Sequence, residues 1–172
     1  MIFFFVMPSV LGAFANLRLP QLLGVPELVF PRLNSVALWA LPLAYQLLLH
    51  GLIHDDGGGA GWTMYPPLVL PQSHAGLAVD HFCIALHLAG FSSCASALNV
   101  LVTAAYAKKA NCHGGNLHSP FVVGLVITSG IVAFIIPILA GAITMVLMDR
   151  NLNAQFFDVA GGGDTVLYQH LF

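Results

Sequence analysis

Histidines are the residues of this 172-residue chain best suited to metal chemistry, and there are eight of them. His50 and His54 stand four residues apart with Asp55 beside them, a spacing that could hold a metal ion on one face of a helix. His87 lies inside a long apolar run, where it could bind haem iron only with a second histidine at similar depth. No such partner is evident. We therefore favour the interpretation of His87 as a hydrogen-bonded structural histidine. His50 and His54 are interpreted as residues of a solvated helix end.

A second group of polar residues lies in the first three apolar runs or in the loop between the first two. It carries amides, hydroxyls and one carboxylate: Asn16, Glu27, Asn34, Ser92, Ser93 and Asn99. Amides and hydroxyls do not ionise here, but they can orient a chain of water molecules that conducts protons. A carboxylate at the inner mouth could collect protons for that chain. Ordinary hydrogen bonding between helices is the alternative, and the residues alone favour it.

Glycine and cysteine suggest two further kinds of site. The stretches DDGGGAGWTMYPPL (55–68) and FFDVAGGGDT (156–165) are glycine-rich, as phosphate-binding loops are. Neither is followed by GK[ST] and neither follows a strand, so tight turns over a membrane bundle are favoured. Cys83, Cys94 and Cys112 lack CxxC spacing and are interpreted as buried thiols, not as a disulfide frame or a zinc site.

The amino-acid composition indicates the class of protein to which the chain belongs. The chain is 58% hydrophobic and only 7% charged, whereas a soluble domain is about 25% charged. So few charges cannot cover a water-exposed surface, which excludes an ordinary soluble globular domain. The net charge of −2 offers no basic surface to nucleic acid. No signal peptide is predicted, because Met1 opens into MIFFFVMP without a basic segment or a small-residue cleavage site.

The apolar runs predict an all-α membrane protein, because a helix needs about 20 apolar residues to cross the hydrocarbon core. Predicted spans cover residues 1–22, 33–54, 77–107 and 119–148, and a fifth begins at 165–172. We expect one membrane region that belongs to a larger bundle.

Positive charge predicts the orientation of the spans. Four of the five basic residues lie on the side of the first and third loops: Arg18, Arg32, Lys108 and Lys109. Basic residues favour the cytoplasmic or matrix side of a membrane. The first loop, which contains Glu27, is therefore expected on that side, and the acidic second loop on the outer side.

Five longer segments resemble subunit 1 of the cytochrome c oxidases, of the haem–copper oxidase family. They are VPELVFPRLNS (25–35), GWTMYPPL (61–68), ALHLAGFSS (85–93), LAGAITMVLMDRNLNAQFFD (139–158) and AGGGDTVLYQHLF (160–172). The match is collinear and covers essentially the whole chain. It corresponds to the second helix through the start of the sixth, which implies transmembrane helices forming part of a twelve-helix bundle.

The resemblance implies haem a, haem a3 and copper B in the complete complex, with ligands outside this chain. None of the eight histidines matches a ligand position, so no metal site is expected within the chain, and it is not expected to be catalytic alone. Gly61 and Trp62 match positions close to the haem propionates, which makes them the expected cofactor contacts.

The resemblance also implies a proton pathway, the D pathway of the family. Five residues match its water-holding positions: Asn16, Asn34, Asn99, Ser92 and Ser93. Glu27 stands at the entrance, where the family has an aspartate, and Ala37 replaces a pathway serine. The effect of these two departures on pumping is left open.

The implied function is part of the catalytic subunit of an enzyme complex that passes electrons from cytochrome c to oxygen and pumps protons. The expected partners are the remaining segments of subunit 1, oxidase subunits 2 and 3, cytochrome c and the lipid bilayer, in the mitochondrial inner membrane. Either a split subunit or a longer parent chain would account for the extent of the match. A quinol-oxidising relative and a non-catalytic membrane scaffold or channel remain as alternatives.

Overall fold

The computed structural model describes residues 2–55, 57–110 and 119–172, except the side chains of 3 and 108–110. Across this part of the chain the structure is helical and contains no strand. Three helices are long and apolar enough to cross a membrane: Pro31–His54, Ala78–Ala107 and Pro120–Leu152. The predicted all-α fold class is confirmed. Cys112 and the loop that contains it lie outside the described residues, as do the side chains of Lys108 and Lys109.

The elements follow one another in a simple order. Two π-helical segments, Ile2–Val6 and Ser9–Phe14, precede α1 (Ala15–Leu23), α2 (Pro31–His54), α3 (Ala78–Ala110) and α4 (Pro120–Leu152). A 3₁₀ turn, Val159–Gly161, leads to α5 (Thr165–Leu171). The first predicted span thus corresponds to the π-helical segments together with α1.

Helix boundaries occur at residues with suitable backbone chemistry. Both α2 and α4 begin at proline, whose missing N–H costs nothing in a first turn. α1 ends at Gly24, which adopts φ +67° and donates its N–H to the Pro20 carbonyl. α5 begins after Asp164, whose carboxylate accepts a 2.9 Å hydrogen bond from Val166 N.

The chain divides into two compact units. Unit 1 comprises Met1–Pro42 and Ala89–Ile136, and unit 2 comprises Leu43–Leu88 and Pro137–Phe172. The unit 1 core is aliphatic and joins α1 to α3 and α4: Leu11, Ala15, Leu19, Leu23, Leu28, Ala97, Val100, Ala104, Ala107, Val122, Leu125 and Val132. The unit 2 core also contains sulfur and aromatic rings: Met64, Val69, Val79, Cys83, Ala142, Ile143, Val146, Phe157 and Tyr168.

Much of the apolar surface of α2 and α4 stays uncovered by the chain itself. Only 17% of the most apolar window of each helix is buried, against 50% for α3. Trp39 on α2 is 74% exposed, and Phe134 on α4 is 80% exposed. Lipid or neighbouring helices are the surroundings in which such faces are stable.

Candidate functional site

Unit 1 brings two of the predicted water-holding residues into direct contact. Asn16 on α1 donates a 2.8 Å hydrogen bond from Nδ2 to Oδ1 of Asn34, in the first turn of α2. Both side chains line an open groove of about 380 Å³, together with Ser9 and Ser35. The arrangement supplies amide donors and acceptors beside a space that can hold water.

Asn99 is fully buried and pairs with the backbone of the loop before α2. Its Oδ1 accepts from Phe30 N at 3.1 Å, and its Nδ2 donates to Phe30 O at 3.1 Å. Thr103, one turn further along α3, accepts from Val29 N at 3.2 Å and donates to Asn99 O at 2.6 Å. These two side chains therefore fix the main chain at Val29 and Phe30. An asparagine amide retains one N–H and one lone pair beyond these bonds.

The two serines on α3 differ in their surroundings. Ser92 is buried and donates a 2.7 Å hydrogen bond to the Ala37 carbonyl on α2. Ser93 is half-buried, and no described residue forms a hydrogen bond with its hydroxyl. Ser92 thus links α3 to α2 at the position where the resemblance expected another serine, whereas the Ser93 hydroxyl can still bind water.

Glu27 lies in the loop between α1 and α2, and its side chain is exposed. Arg32, at the start of α2, is exposed as well. Within the part of the chain that the structure describes, the one ion pair joins Arg150 to Asp80, so Glu27 and Arg32 do not pair. An exposed carboxylate outside an ion pair is a favourable entry point for protons, because bulk water reaches it directly.

The histidines of unit 2 are engaged in structural contacts. His87 Nδ1 lies 2.8 Å from the Cys83 carbonyl, and Nε2 lies 2.9 Å from Thr144 Oγ1. Both ring nitrogens therefore have partners, as expected for a structural histidine. The His50 ring packs against His54 and His81, with ring centroids 4.3 Å and 4.9 Å apart. Among the described residues, no group of three or more histidines, cysteines or acids is placed to hold a metal ion.

The predicted haem contacts lie in the loop between α2 and α3. Trp62 is 59% exposed and contacts the Phe172 ring, with centroids 5.9 Å apart. Gly61 adopts φ +74°, a conformation that favours glycine, and an added Cβ there would meet nothing within 4 Å. The exposed indole offers a broad apolar face, which fits a planar group.

Arg150, at the end of α4, uses every N–H of its guanidinium. Nε donates to Asp80 Oδ1 at 2.8 Å, and one terminal nitrogen donates to the carbonyls of Val69 and His74. The other donates to the Gly76 carbonyl at 2.7 Å and lies 3.5 Å from Asp80 Oδ2. The Arg150 side chain is only 3% exposed. The hydrogen bonds of Arg150 therefore join the loop before α3 to the end of α4.

Sequence reasoning missed three residues that organise these regions: Thr103, Arg150 and Tyr168. Thr103 could have been found from its i+4 spacing to Asn99, which places both polar groups on one face of an apolar helix. The sequence indicated only the positive charge of Arg150 and none of its hydrogen bonds. Tyr168 gave no signal, because a tyrosine in an apolar run is common in a core.

Comparison with known proteins agrees with the resemblance. The family model described as Cytochrome C and Quinol oxidase polypeptide I matches residues 1–172. Cytochrome c oxidase subunit 1 of Eremothecium gossypii is 42% identical over 174 residues, which cover all of this chain and 32% of that protein. Cytochrome c oxidase subunit 1 of Pecten maximus is 45% identical, and the match covers all of this chain and 36% of that protein. The subunit of Mytilus edulis is 43% identical, and the match covers all of this chain and 31% of that protein.

The chain therefore spans about a third of the length of the curated relatives that it matches. The family match covers the whole chain, and the structure supplies the apolar helices of a multi-pass membrane protein. The predicted resemblance is confirmed: this chain belongs to the family of cytochrome c and quinol oxidase polypeptide I.

Proposed function

We propose that this chain forms the proton-entry region and a haem-facing loop of the catalytic subunit of a cytochrome c oxidase. The complete enzyme would pass electrons from cytochrome c to oxygen and pump protons across the mitochondrial inner membrane. The hydrogen bond between Asn16 and Asn34 is the observation that carries the proposal, since it brings two predicted water-holding amides together beside a groove.

Proton entry would begin at Glu27. Its exposed carboxylate would raise the local availability of protons at the matrix side without having to hold a proton tightly. The bond between Asn16 and Asn34 leaves the Asn16 oxygen as an acceptor and the Asn34 N–H groups as donors. Water in the adjoining groove could therefore be oriented at both ends of this contact.

Three further residues would continue the path along α3. Ser93 would bind water through its hydroxyl. Ser92 would act mainly by linking α3 to α2 through Ala37. Asn99, which is fully buried, would act by fixing Phe30 in the loop that contains Glu27.

Family membership implies haem–copper cofactors, and we propose haem a, haem a3 and copper B with their ligands outside this chain. These groups would supply electron transfer and oxygen chemistry. Trp62 would lie against the haem propionates, and Gly61 would leave room for that approach. The proposed partners are the remaining segments of subunit 1, oxidase subunits 2 and 3, cytochrome c and the lipid bilayer.

Replacement of Glu27 tests the proton-entry role. In the assembled oxidase, Glu27→Gln should slow turnover and proton uptake while the haem spectra stay unchanged, because it removes only a charge. Glu27→Asp is the matched control and should retain most of the activity. If Glu27→Gln turns over and pumps like the parent, Glu27 is only a surface acid, and this proton-entry role is wrong.

Oxidation of quinol is a second candidate, because the matching family model includes quinol oxidases. The electron donor distinguishes the two. Turnover of the assembled complex with reduced cytochrome c, and none with a quinol, would support the proposed oxidase. The reverse result would favour the quinol oxidase.

A further inference from the structure

We infer that Tyr168 is a positioning residue for Trp62. The inference rests on the proposed function, in which the Trp62 indole meets a haem carboxylate. Tyr168 would not touch the haem; it would act by fixing the main chain and the ring against which Trp62 lies. Two independent contacts within unit 2 support this role.

Tyr168 is fully buried and contacts the loop that contains Trp62. It is the largest fully buried side chain among the described residues, and it lies on α5. Asp164 fixes the start of that helix twice, by capping Val166 N at 2.9 Å and by donating its own N–H to the Phe156 carbonyl at 3.1 Å. The phenol ring meets Phe157 edge-on, with centroids 5.6 Å apart.

The first contact is a hydrogen bond to the backbone. The Tyr168 hydroxyl donates to the Thr63 carbonyl at 2.9 Å, across 105 residues of sequence. Thr63 directly follows Trp62, so this bond fixes the peptide group between Thr63 and Met64, one residue beyond the indole-bearing residue. A buried tyrosine hydroxyl normally needs a partner, and Thr63 O is the one present here.

The second contact runs through an aromatic ring. Tyr168 stacks on Phe172, with centroids 5.6 Å apart and an interplanar angle of 17°. Phe172 in turn contacts Trp62 at 5.9 Å. Tyr168 thus supports Trp62 from its backbone and from its ring, whereas Gly61 on the other side contributes no side chain.

Removal of one hydroxyl tests the inference in the assembled oxidase. Tyr168→Phe deletes the bond to Thr63 and keeps the buried ring. We expect it to shift the infrared band of the haem carboxylates and the haem midpoint potential, with haem content unchanged. Tyr65→Phe is the matched control, because Tyr65 contacts the same rings but its hydroxyl bonds to no described residue. It should shift neither signal.

Combination with Trp62→Phe separates positioning from general structural damage. If Tyr168 acts through Trp62, Tyr168→Phe should shift both signals in the same direction as Trp62→Phe and by no more. The double variant should then match Trp62→Phe alone. Additive shifts in the double variant, or a Tyr168→Phe variant that behaves like Tyr65→Phe, would overturn the inference and leave the haem contact of Trp62 intact.

Two further outcomes are decisive. If Trp62→Phe itself shifts neither signal, the proposed haem contact and this inference both fail. If Tyr168→Phe prevents assembly, Phe172→Leu tests the ring contact instead. It should move the carboxylate band in the direction of Trp62→Phe, and an unchanged band would overturn the inference.

Discussion

The side-chain nitrogen of Asn16 and the side-chain oxygen of Asn34 lie 2.8 Å apart and join α1 to the first turn of α2. The Asn34 backbone N–H bonds to the Phe30 carbonyl at 3.1 Å, and that same carbonyl accepts from Asn99. A continuous set of hydrogen bonds therefore runs from α1 through α2 to α3. Its members are neutral, so water and not side-chain ionisation would have to carry protons along it.

Replacement of Asn34 should interrupt this set. Asn34→Leu keeps the branched shape but removes every side-chain donor and acceptor. We expect proton uptake during turnover to fall about fivefold, which is the rate equivalent of ~1 kcal/mol if the lost hydrogen bond raises the barrier by that amount. Uptake is measured with a pH-sensitive dye in vesicles. Ser35→Ala, in the same groove, is the control and should behave like the parent. Equal uptake in the two variants would show that the Asn34 amide does not serve the pathway.

Loss of the Thr103 hydroxyl should loosen the loop that contains Glu27. Thr103→Val keeps the shape and removes the acceptor for Val29 N, and losing the partner of this partly buried donor should cost about 1 kcal/mol. Faster deuterium exchange at Val29 and a lower unfolding temperature would report the loss. Thr103→Ser retains the oxygen and should restore most of the protection. Parent-like exchange in Thr103→Val would contradict the role assigned to this hydrogen bond.

Lysine should be a poor substitute for Arg150. Lysine keeps the charge, but its three donors lie on one nitrogen and cannot bond to Asp80 and three carbonyls at once. We therefore expect Arg150→Lys to lower the free energy of unfolding by about 2–4 kcal/mol. Arg18→Lys is the exposed control and should change it by less than about 0.5 kcal/mol. Denaturant unfolding in detergent gives both values, and a similar small change in both variants would refute the prediction.

Gly163 should tolerate no side chain. An added Cβ would overlap the backbone carbonyls of Gln155 and Phe156, which cannot move as a flexible side chain can. We expect Gly163→Ala to cost about 1–3 kcal/mol, as overpacking does. Gly58→Ala is the matched control in another loop of unit 2, because its Cβ would lie 3.8 Å from Val79 Cγ2 in ordinary contact. A parent-like melting temperature for Gly163→Ala would contradict the expected overlap.

The helices themselves could be predicted closely, because bilayer thickness imposes a length on every apolar run. The expected starts at 33, 77 and 119 compare with helices that begin at Pro31, Ala78 and Pro120. The π-helical turns near the start could not be predicted. They depend on hydrogen-bond register, which apolar composition does not determine.

The contacts between the candidate site residues could not be predicted from their residue types alone. Asn16 and Asn34 were expected in one pathway, and they are in contact. Asn99, by contrast, was expected to hold water, and both its side-chain groups bond to the backbone of Phe30, 69 residues away. A pairing over such a distance leaves no local pattern in the sequence, so only the fold reveals it.

The five bonds of Arg150 also bear on how the chain enters a membrane. Arg150 lies on the predicted outer side, where positive charge is disfavoured, and carrying a bare guanidinium through lipid is costly. Asp80 at the start of α3 neutralises it, and three carbonyls take the place of its hydration shell. We therefore expect α3 and α4 to be inserted together, since Arg150 at the end of α4 has its ion-pair partner, Asp80, at the start of α3.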